Sequence, residues 1–276
     1  MSLDADLRVD RRRLKRRLNF WRLAAILAIV AAVLVALNRQ QSVLKSERID
    51  RISVDGIITD DQDRLAALRQ AAADSSVKAL VVRINSPGGT VVGGESLYHT
   101  LREVGAAKPV VVVMGDMAAS AGYMVALGGD RIFARDGSIT GSIGVIMQTA
   151  DVTGLLQKLG VTAEALKSAP LKATPSPLEP LTPEAREAAM EVIRDVFDIF
   201  KGLVRDRRAL SEDEVNKLAD GRVFSGRQAV KNGLVDEIGG ETEAMRWLET
   251  ARGINPKLPV QDIDIDQEQR GLERGP

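Results

Sequence analysis

The chain has 276 residues, enough for one large domain with an appendage, and its lack of cysteine excludes disulfides and thiolate catalysis. Only 3% of the residues are aromatic although 45% are hydrophobic, so the core has to be built mainly from aliphatic side chains. The formal net charge is zero, but residues 1–22 hold eight basic and three acidic side chains. The remainder is therefore acidic, which argues against nucleic acid as a partner.

The N-terminal segment predicts a membrane anchor. A basic cluster at residues 11–17 precedes an uninterrupted apolar run at residues 23–37, and extending that run back to Leu18 brings its length to about twenty residues, roughly enough to cross a bilayer. Because basic residues stay on the cytoplasmic side, we expect a cytoplasmic segment at 1–17, one transmembrane helix at 18–38 and an extracytoplasmic remainder. A cleaved signal peptide and a cytosolic amphipathic helix are the alternatives.

After a polar linker at residues 39–47, apolar segments of strand and helix character alternate. Strands are predicted at 49–58, 79–84, 109–114, 131–134 and 139–147, and helices at 63–73, 94–104, 152–159, 183–208, 211–218 and 241–252. The alternation indicates an α/β fold with parallel strands joined by crossover helices. No element is predicted in the polar C-terminal tail at 253–276.

Ser120 is the candidate nucleophile. It lies in the small-residue segment Gly-Asp-Met-Ala-Ala-Ser-Ala-Gly-Tyr at 115–123, between the apolar strand at 109–114 and a predicted helix. A hydroxyl at such a corner lies near free backbone N–H groups that can stabilise negative charge. The alternative interpretation is an ordinary helix N-cap.

A second corner, Asn-Ser-Pro-Gly-Gly at 85–89, ends the preceding apolar strand. Consecutive glycines allow the backbone to approach a ligand closely, although the same residues also make an ordinary turn. If the two strands are parallel neighbours, a backbone N–H donor would lie beside the Ser120 hydroxyl. A nucleophile and an oxyanion hole are the minimum for acyl transfer.

The general base is harder to choose. His99, the only histidine, lies in the predicted surface helix at 94–104 without a marked acidic partner. A lysine can act as the base when burial lowers its pKa to about 7–8. Lys172, among apolar and small residues in a loop before a long helix, is the best candidate, and Lys167 is its rival. No metal-ligand spacing or phosphate-binding loop is visible, so neither a metal nor a cofactor is predicted.

Four motifs in order resemble the signal peptide peptidase A family, whose members are Ser-Lys membrane proteases with a ClpP/crotonase-like fold of repeated β-β-α units. The motifs are the segments at 85–89 and 115–123, Thr-Gly-Ser-Ile-Gly-Val at 140–145, and Asp-Gly-Arg-Val-Phe-Ser-Gly-Arg-Gln-Ala at 220–229. The resemblance covers residues 48–252 and implies a peptidase domain of the single-length kind.

The resemblance also implies roles for particular residues. Ser120 matches the nucleophile and Lys172 the general base. The backbone N–H of Gly89, with that of Ala121, matches the oxyanion hole, and Ser142 matches the hydroxyl that orients the lysine. Two departures stand out, since Ala121 occupies a position where glycine is common and Ala-Pro at 169–170 replaces the usual glycine-containing approach to the lysine.

By this resemblance the chain is expected to be a serine endopeptidase anchored in the bacterial inner membrane, with its catalytic domain on the periplasmic side, that degrades remnant signal peptides. The resemblance further implies a homo-oligomer, a dome-shaped octamer in which the serine of one protomer meets the lysine of its neighbour. A non-catalytic membrane scaffold and a crotonase-type acyl-thioester enzyme are the alternative functions.

Overall fold

The computed structural model describes residues 21–23, 25–29, 46–263 and 265, and the chain separates into two compact units, Met1–Glu47 and Arg48–Pro276. In the first unit, residues 21–23 and 25–29 are helical and exposed. Within the part of the chain that the structure describes, no helix is both long and apolar enough to cross a membrane. Most of the anchor predicted at 18–38 lies outside the described residues.

The second unit alternates strands and helices. Its strands are β1 (Arg48–Ile58), β2 (Val77–Gly89), β3 (Val110–Ala119), β4 (Arg131–Ala134), β5 (Ile139–Gly141), β6 (Val223–Ser225), β7 (Glu237–Ile238) and β8 (Val260–Asp262). Its helices are α1 (Gln62–Ala73), α2 (Val91–Ala107), α3 (Ala121–Ala126), α4 (Thr153–Lys158), α5 (Pro183–Arg208), α6 (Glu212–Leu218), α7 (Gly226–Lys231) and α8 (Glu241–Arg252).

The strands form one sheet in the order β6-β5-β3-β2-β1-β8, with β4 beside β3 and β7 beside β4. All pairs are parallel except β5 with β6. β3 is long enough to take two partners along one edge, since Val111 pairs with Arg131 of β4 and Ala119 pairs with Gly141 of β5. The predicted α/β fold is confirmed.

Helices cover both faces of the central strands, which explains why these strands are apolar at nearly every position. One face of β2, with Leu80, Val82 and Ile84, joins the large core cluster that includes residues of α1, α2 and α3. The opposite face, with Ala79 and Val81, packs in a second cluster with residues of α8. The core is mainly aliphatic, as the composition requires.

Residues 146–182, here called the arm, contain no buried residue. The arm is held together by its own contacts, among them the hydrogen bond from the Val152 N–H to the Pro177 carbonyl at 3.0 Å. The strand predicted at 139–147 was therefore too long. β5 ends at Gly141 because Gly141 and Ser142 both adopt positive φ, at +80° and +49°, which breaks the extended backbone.

A strand also forms where the sequence predicts none. β8, within the tail, pairs with the start of β1 at the edge of the sheet. Arg51 of β1 holds it in place, donating to Asp262 at 2.6 Å and to Glu241 of α8 at 2.7 Å. The polar sequence of β8 gives no apolar alternation, so its pairing rests on these ionic contacts and on backbone hydrogen bonds.

Candidate active site

Ser120 lies at the sharp corner between β3 and α3. Its backbone adopts φ +53° and ψ −122°, an unfavourable conformation for a residue with a side chain. The corner is held from both sides: the Ser120 N–H donates to the Gly141 carbonyl at 2.9 Å, and the Ser120 carbonyl accepts from the N–H of Tyr123 at 2.9 Å. Residues kept in such strained conformations cluster at functional sites.

The Ser120 side chain does not cap the helix it precedes, since no side-chain capping hydrogen bond forms there. Ser211 and Ser225, by contrast, each bond an N–H in the first turn of the helix that follows. Ser120 is also partly exposed. The interpretation of Ser120 as an ordinary N-cap therefore does not hold.

β2 runs on through the turn predicted at 85–89, and its last two residues, Gly88 and Gly89 (here called the turn because Gly88 has a positive φ), pack directly against this corner. Ser86 pairs with Ala118 in the parallel ladder, which brings Gly88, two residues later, beside Ser120. A Cβ built on Gly88 would lie 2.8 Å from the Ser120 Cβ and 3.3 Å from the Ala121 nitrogen, and Gly88 has φ +118°. Only glycine fits this position, because both the backbone conformation and the approach of Ser120 exclude a side chain.

Gly89 is enclosed from the opposite side. A Cβ built there would lie 2.0 Å from the Ile58 carbonyl oxygen of β1. The next residue, Thr90, donates its N–H to the same oxygen at 2.8 Å. The backbone of Gly89 is thus pressed onto β1, and any other residue would separate the two strands.

Ser142 follows β5 and lies next to Ser120 across the sheet, because Gly141 pairs with Ala119 and accepts the Ser120 N–H. Ser142 also has a positive φ, +49°, and its N–H donates to the Arg222 carbonyl at 2.8 Å. The structure therefore brings Ser120, Gly89, Ala121 and Ser142 together at neighbouring strand ends, where parallel α/β folds place their sites.

Lys172 is placed differently. It lies in a turn of the arm, its side chain is exposed, and no hydrogen bond or ion pair of the described residues joins it to Ser120 or Ser142. Its rival Lys167 is engaged, with Nζ 2.5 Å from a carboxylate oxygen of Glu179. His99 is exposed on α2, where its Nε2 lies 3.8 Å from a carboxylate oxygen of Glu95.

The helix that follows Ser120 is anchored both within its length and just beyond its end. The hydroxyl of Tyr123, fully buried, donates to the Leu234 carbonyl at 2.8 Å, and burial raises the pKa of that phenol. Arg207 of α5 donates to the carbonyls of Leu127 and Gly129, both at 2.9 Å. These contacts fix the helix that carries the nucleophile and limit the movement of Ser120.

Ser86 belongs to the motif at 85–89, and its place in the sequence predicts no separate role for it. The structure buries it completely, with its Oγ accepting the Gly88 N–H at 3.0 Å. The signal was present, since a serine two residues before a glycine, with proline between, is typical of a side-chain-stabilised turn. Among the described residues, no group of three or more histidine, aspartate or glutamate side chains could hold a metal ion.

Comparison with known families gives a consistent result. The model of peptidase family S49 matches residues 102–255, a range that includes Ser120, Ser142 and Lys172 and begins after the turn at 85–89.

Individual relatives extend the match toward the N-terminus. A putative protease of Synechocystis is 38% identical over 221 residues, which cover 79% of each chain. A putative protease of Methanocaldococcus jannaschii is 38% identical over 72% of this chain and 63% of its own. A putative signal peptide peptidase SppA of Enterococcus faecium is 34% identical over 78% of this chain and 67% of its own. Among solved structures, a point mutant of ClpP1 from Listeria monocytogenes is 20% identical, with a TM-score of 0.46, over 69% of this chain and 91% of that one.

Proposed function

Because this chain belongs to peptidase family S49 and is thereby supported as a serine-type protease, we propose that Ser120 is its nucleophile and Lys172 its general base. The observation that carries the proposal is the strained corner at Ser120, packed against Gly88, with its hydroxyl left free of a capping bond. Strain of about 1–3 kcal/mol persists only where the surroundings enforce it, and here both neighbouring strands do.

The oxyanion hole is assigned to the backbone N–H groups of Gly89 and Ala121. The Thr90 N–H points to β1, since it donates to Ile58. Successive N–H groups of an extended strand alternate sides, so the N–H of Gly89 faces away from β1, toward the side of β2 on which β3 and Ser120 lie. The nitrogen of Ala121 lies 3.3 Å from a Cβ built on Gly88, the residue before Gly89, and this closeness supports pairing the two donors.

Lys172 is preferred over Lys167 as the base because the Lys167 ammonium is already engaged in an ion pair with Glu179, whereas Lys172 has no ion-pair partner among the described residues. A lysine acts as a general base only where burial favours its neutral form, and Lys172 is exposed. It therefore needs a second surface to bury it, and the described residues of its own chain do not supply one.

A second copy of the chain would supply that surface. The arm and α5 carry many exposed large apolar side chains, and apolar patches of this kind mark interaction surfaces. They are Ile146, Met147, Leu155, Leu159, Val161, Leu166, Leu171, Leu178, Val192 and Ile199. We place the arm of one protomer on the Ser120 edge of its neighbour, with Lys172 beside Ser120 and Ser142, in a ring that is a dome-shaped octamer.

In this arrangement, neutral Lys172, oriented by the Ser142 hydroxyl, takes the Ser120 proton as Oγ attacks the peptide carbonyl. The N–H groups of Gly89 and Ala121 stabilise the oxyanion. The Lys172 ammonium then protonates the leaving amine, and a water molecule, deprotonated in the same way, hydrolyses the acyl-enzyme. No step needs a metal or a cofactor.

The substrate class we propose is remnant signal peptides at the extracytoplasmic face of a bacterial inner membrane, with the chain anchored by residues 18–38. The basic cluster followed by an apolar run supports the anchor and its orientation. The name of the Enterococcus faecium relative, a putative signal peptide peptidase, supports the substrate class. Apolar peptides released into a membrane would be close to a site tethered there.

The test is subunit complementation with the full chain in detergent, assayed on a fluorogenic apolar peptide. Ser120→Ala and Lys172→Ala should each be inactive, whereas Lys167→Ala should be active. After subunit exchange, an equal mixture of the two inactive variants should regain about a quarter of wild-type activity, because random mixing gives each shared site one chance in four of holding both groups.

Each alternative has its own result. Activity that survives in Lys172→Ala and disappears in Lys167→Ala would move the base to Lys167. No activity in the mixture, with both single variants inactive and oligomeric, would place the serine and lysine in one protomer. A folded, oligomeric wild type that cleaves no peptide would favour the scaffold.

A further inference from the structure

We propose that Ser86 is a positioning residue of the oxyanion hole. Its hydroxyl holds the peptide unit between Gly88 and Gly89, and the N–H of Gly89 is one of the two oxyanion donors. The inference rests on the proposed function, because it takes Ser120 as the nucleophile and Gly89 as a donor. It adds a group that contacts neither substrate nor Ser120 Oγ and acts through the backbone.

The hydrogen bonds of Ser86 carry the argument. The Ser86 side chain is 0% exposed, and its Oγ accepts the Gly88 N–H at 3.0 Å. The same Oγ lies 3.3 Å from the Gly88 carbonyl oxygen, to which it donates its proton. One hydroxyl thus bonds both the N–H and the C=O of Gly88 and fixes its backbone.

The Gly88 carbonyl and the Gly89 N–H belong to one planar peptide unit, so the direction of the carbonyl sets the direction of the N–H. A hydrogen bond accepted at the carbonyl also polarises the peptide and strengthens its N–H as a donor. Glycine at both positions leaves the turn without side chains to restrict it, so the hydroxyl of Ser86 supplies the restriction.

Ser86 also links this turn to the helix of the nucleophile. A Cβ built on Gly122 would lie 3.1 Å from the Ser86 carbonyl oxygen and 3.4 Å from its Cβ, so α3 packs closely on Ser86. In the sheet, Ser86 pairs with Ala118, two residues before Ser120. Ser86 therefore contacts the segments that carry the oxyanion donor and the nucleophile, and the distance between these two groups depends on its position.

The test compares Ser86→Ala with wild type in the full chain. Removing one oxyanion donor outright lowers kcat by about 10²–10³-fold, and misdirecting a donor that is still present should cost less, about tenfold. We expect kcat to fall by about that factor with KM within about twofold, because the donor acts on the transition state. The affinity of a peptide aldehyde, whose adduct with Ser120 places oxygen in the hole, should fall by the same factor. The pH profile should not move, since Lys172 is untouched.

Ser138→Ala is the matched control. Ser138 is 2% exposed, and its Oγ donates to the Gly115 carbonyl at 2.6 Å and accepts the Arg135 N–H at 3.0 Å. The Ser138→Ala variant also loses a buried hydroxyl that bonds backbone groups, but this hydroxyl lies outside the turn. Its melting temperature should fall as that of Ser86→Ala does, while its kcat stays within about twofold of wild type. Ser86→Thr, which keeps the hydroxyl, should recover most of the lost kcat.

A purely structural Ser86 would give equal kcat losses in Ser86→Ala and Ser138→Ala, and that result overturns the proposal. Unchanged aldehyde affinity in Ser86→Ala overturns it as well. Should Ser86→Ala fail to fold, Ser86→Cys keeps the volume with a much weaker donor and must show the same loss. Activity in Ser120→Ala would refute the proposed function itself, whereas an inactive Ser120→Ala beside a fully active Ser86→Ala refutes only the role of Ser86.

Discussion

Replacing Gly88 by alanine tests whether the turn at 88–89 sets the position of the nucleophile. The new Cβ would lie 2.8 Å from the Ser120 Cβ, whereas carbon atoms in contact lie about 3.5–4.0 Å apart. One of the two residues must therefore move by about 0.7–1.2 Å. Misplacing a catalytic group by about 1 Å costs about a hundredfold in rate, so kcat should fall by about that factor.

The same substitution should lower stability. Gly88 has φ +118°, and forcing alanine into such a conformation costs about 1–3 kcal/mol, with a similar cost for the overpacked contact. A total of about 3 kcal/mol corresponds to a fall in melting temperature of about 6–12 °C for a domain of this size. Circular dichroism melting measures this fall, and kcat is measured well below the melting temperature of the variant.

Gly202→Ala is the control for the glycine substitution. A Cβ at Gly202, inside α5, meets no atom within 4 Å, so alanine should stabilise the helix by about 0.5–1 kcal/mol and leave kcat unchanged. A Gly88→Ala variant with wild-type kcat would refute the close packing of the turn on Ser120. A loss of kcat in both variants would show that the effect does not come from that contact.

Two further predictions concern groups away from the reacting atoms. Tyr123→Phe should lower the free energy of unfolding by about 1–2 kcal/mol, because the buried carbonyl of Leu234 loses its donor at 2.8 Å. Because burial raises the pKa of Tyr123, this residue should not ionise below about pH 11. The absorbance change from tyrosine ionisation up to that pH should therefore be the same in variant and wild type. A smaller change in the variant would contradict this burial. Hydrogen bonds from Ser76 and then Arg48 lower the pKa of Asp74 to about 2, so its ionised form stabilises the fold above about pH 4, and this contribution is lost as the pH falls through about 2. Asp74→Asn should therefore lower the free energy of unfolding at pH 7 by about 1 kcal/mol after solvent screening, which urea titration measures. The difference in free energy between variant and wild type should narrow below about pH 4, and a difference independent of pH would be inconsistent with this ionic contribution.

The sequence alone was sufficient for the parts of the fold that local pattern specifies. Apolar runs bounded by small residues identified β2 and β3, and the long helix after Thr182 is present with the predicted bounds. The turn predicted at 85–89 is wrong, because β2 continues through it to Gly89. The corner at Ser120 was identified because glycine and serine in such positions restrict the backbone whatever surrounds them. These are properties of neighbouring residues.

Only the tertiary structure decided which of these segments meet. The closeness of Ser120 and Ser142 depends on the pairing of Ala119 with Gly141, a register that joins distant segments and that no local periodicity encodes. The same strand order brings Gly88 against Ser120, so the hydrogen bonds from the Ser86 hydroxyl to Gly88 act close to the nucleophile. The sequence of the Lys172 loop is apolar enough to suggest burial, yet its chain leaves it exposed, because burial is a property of what packs on a segment and not of its own composition.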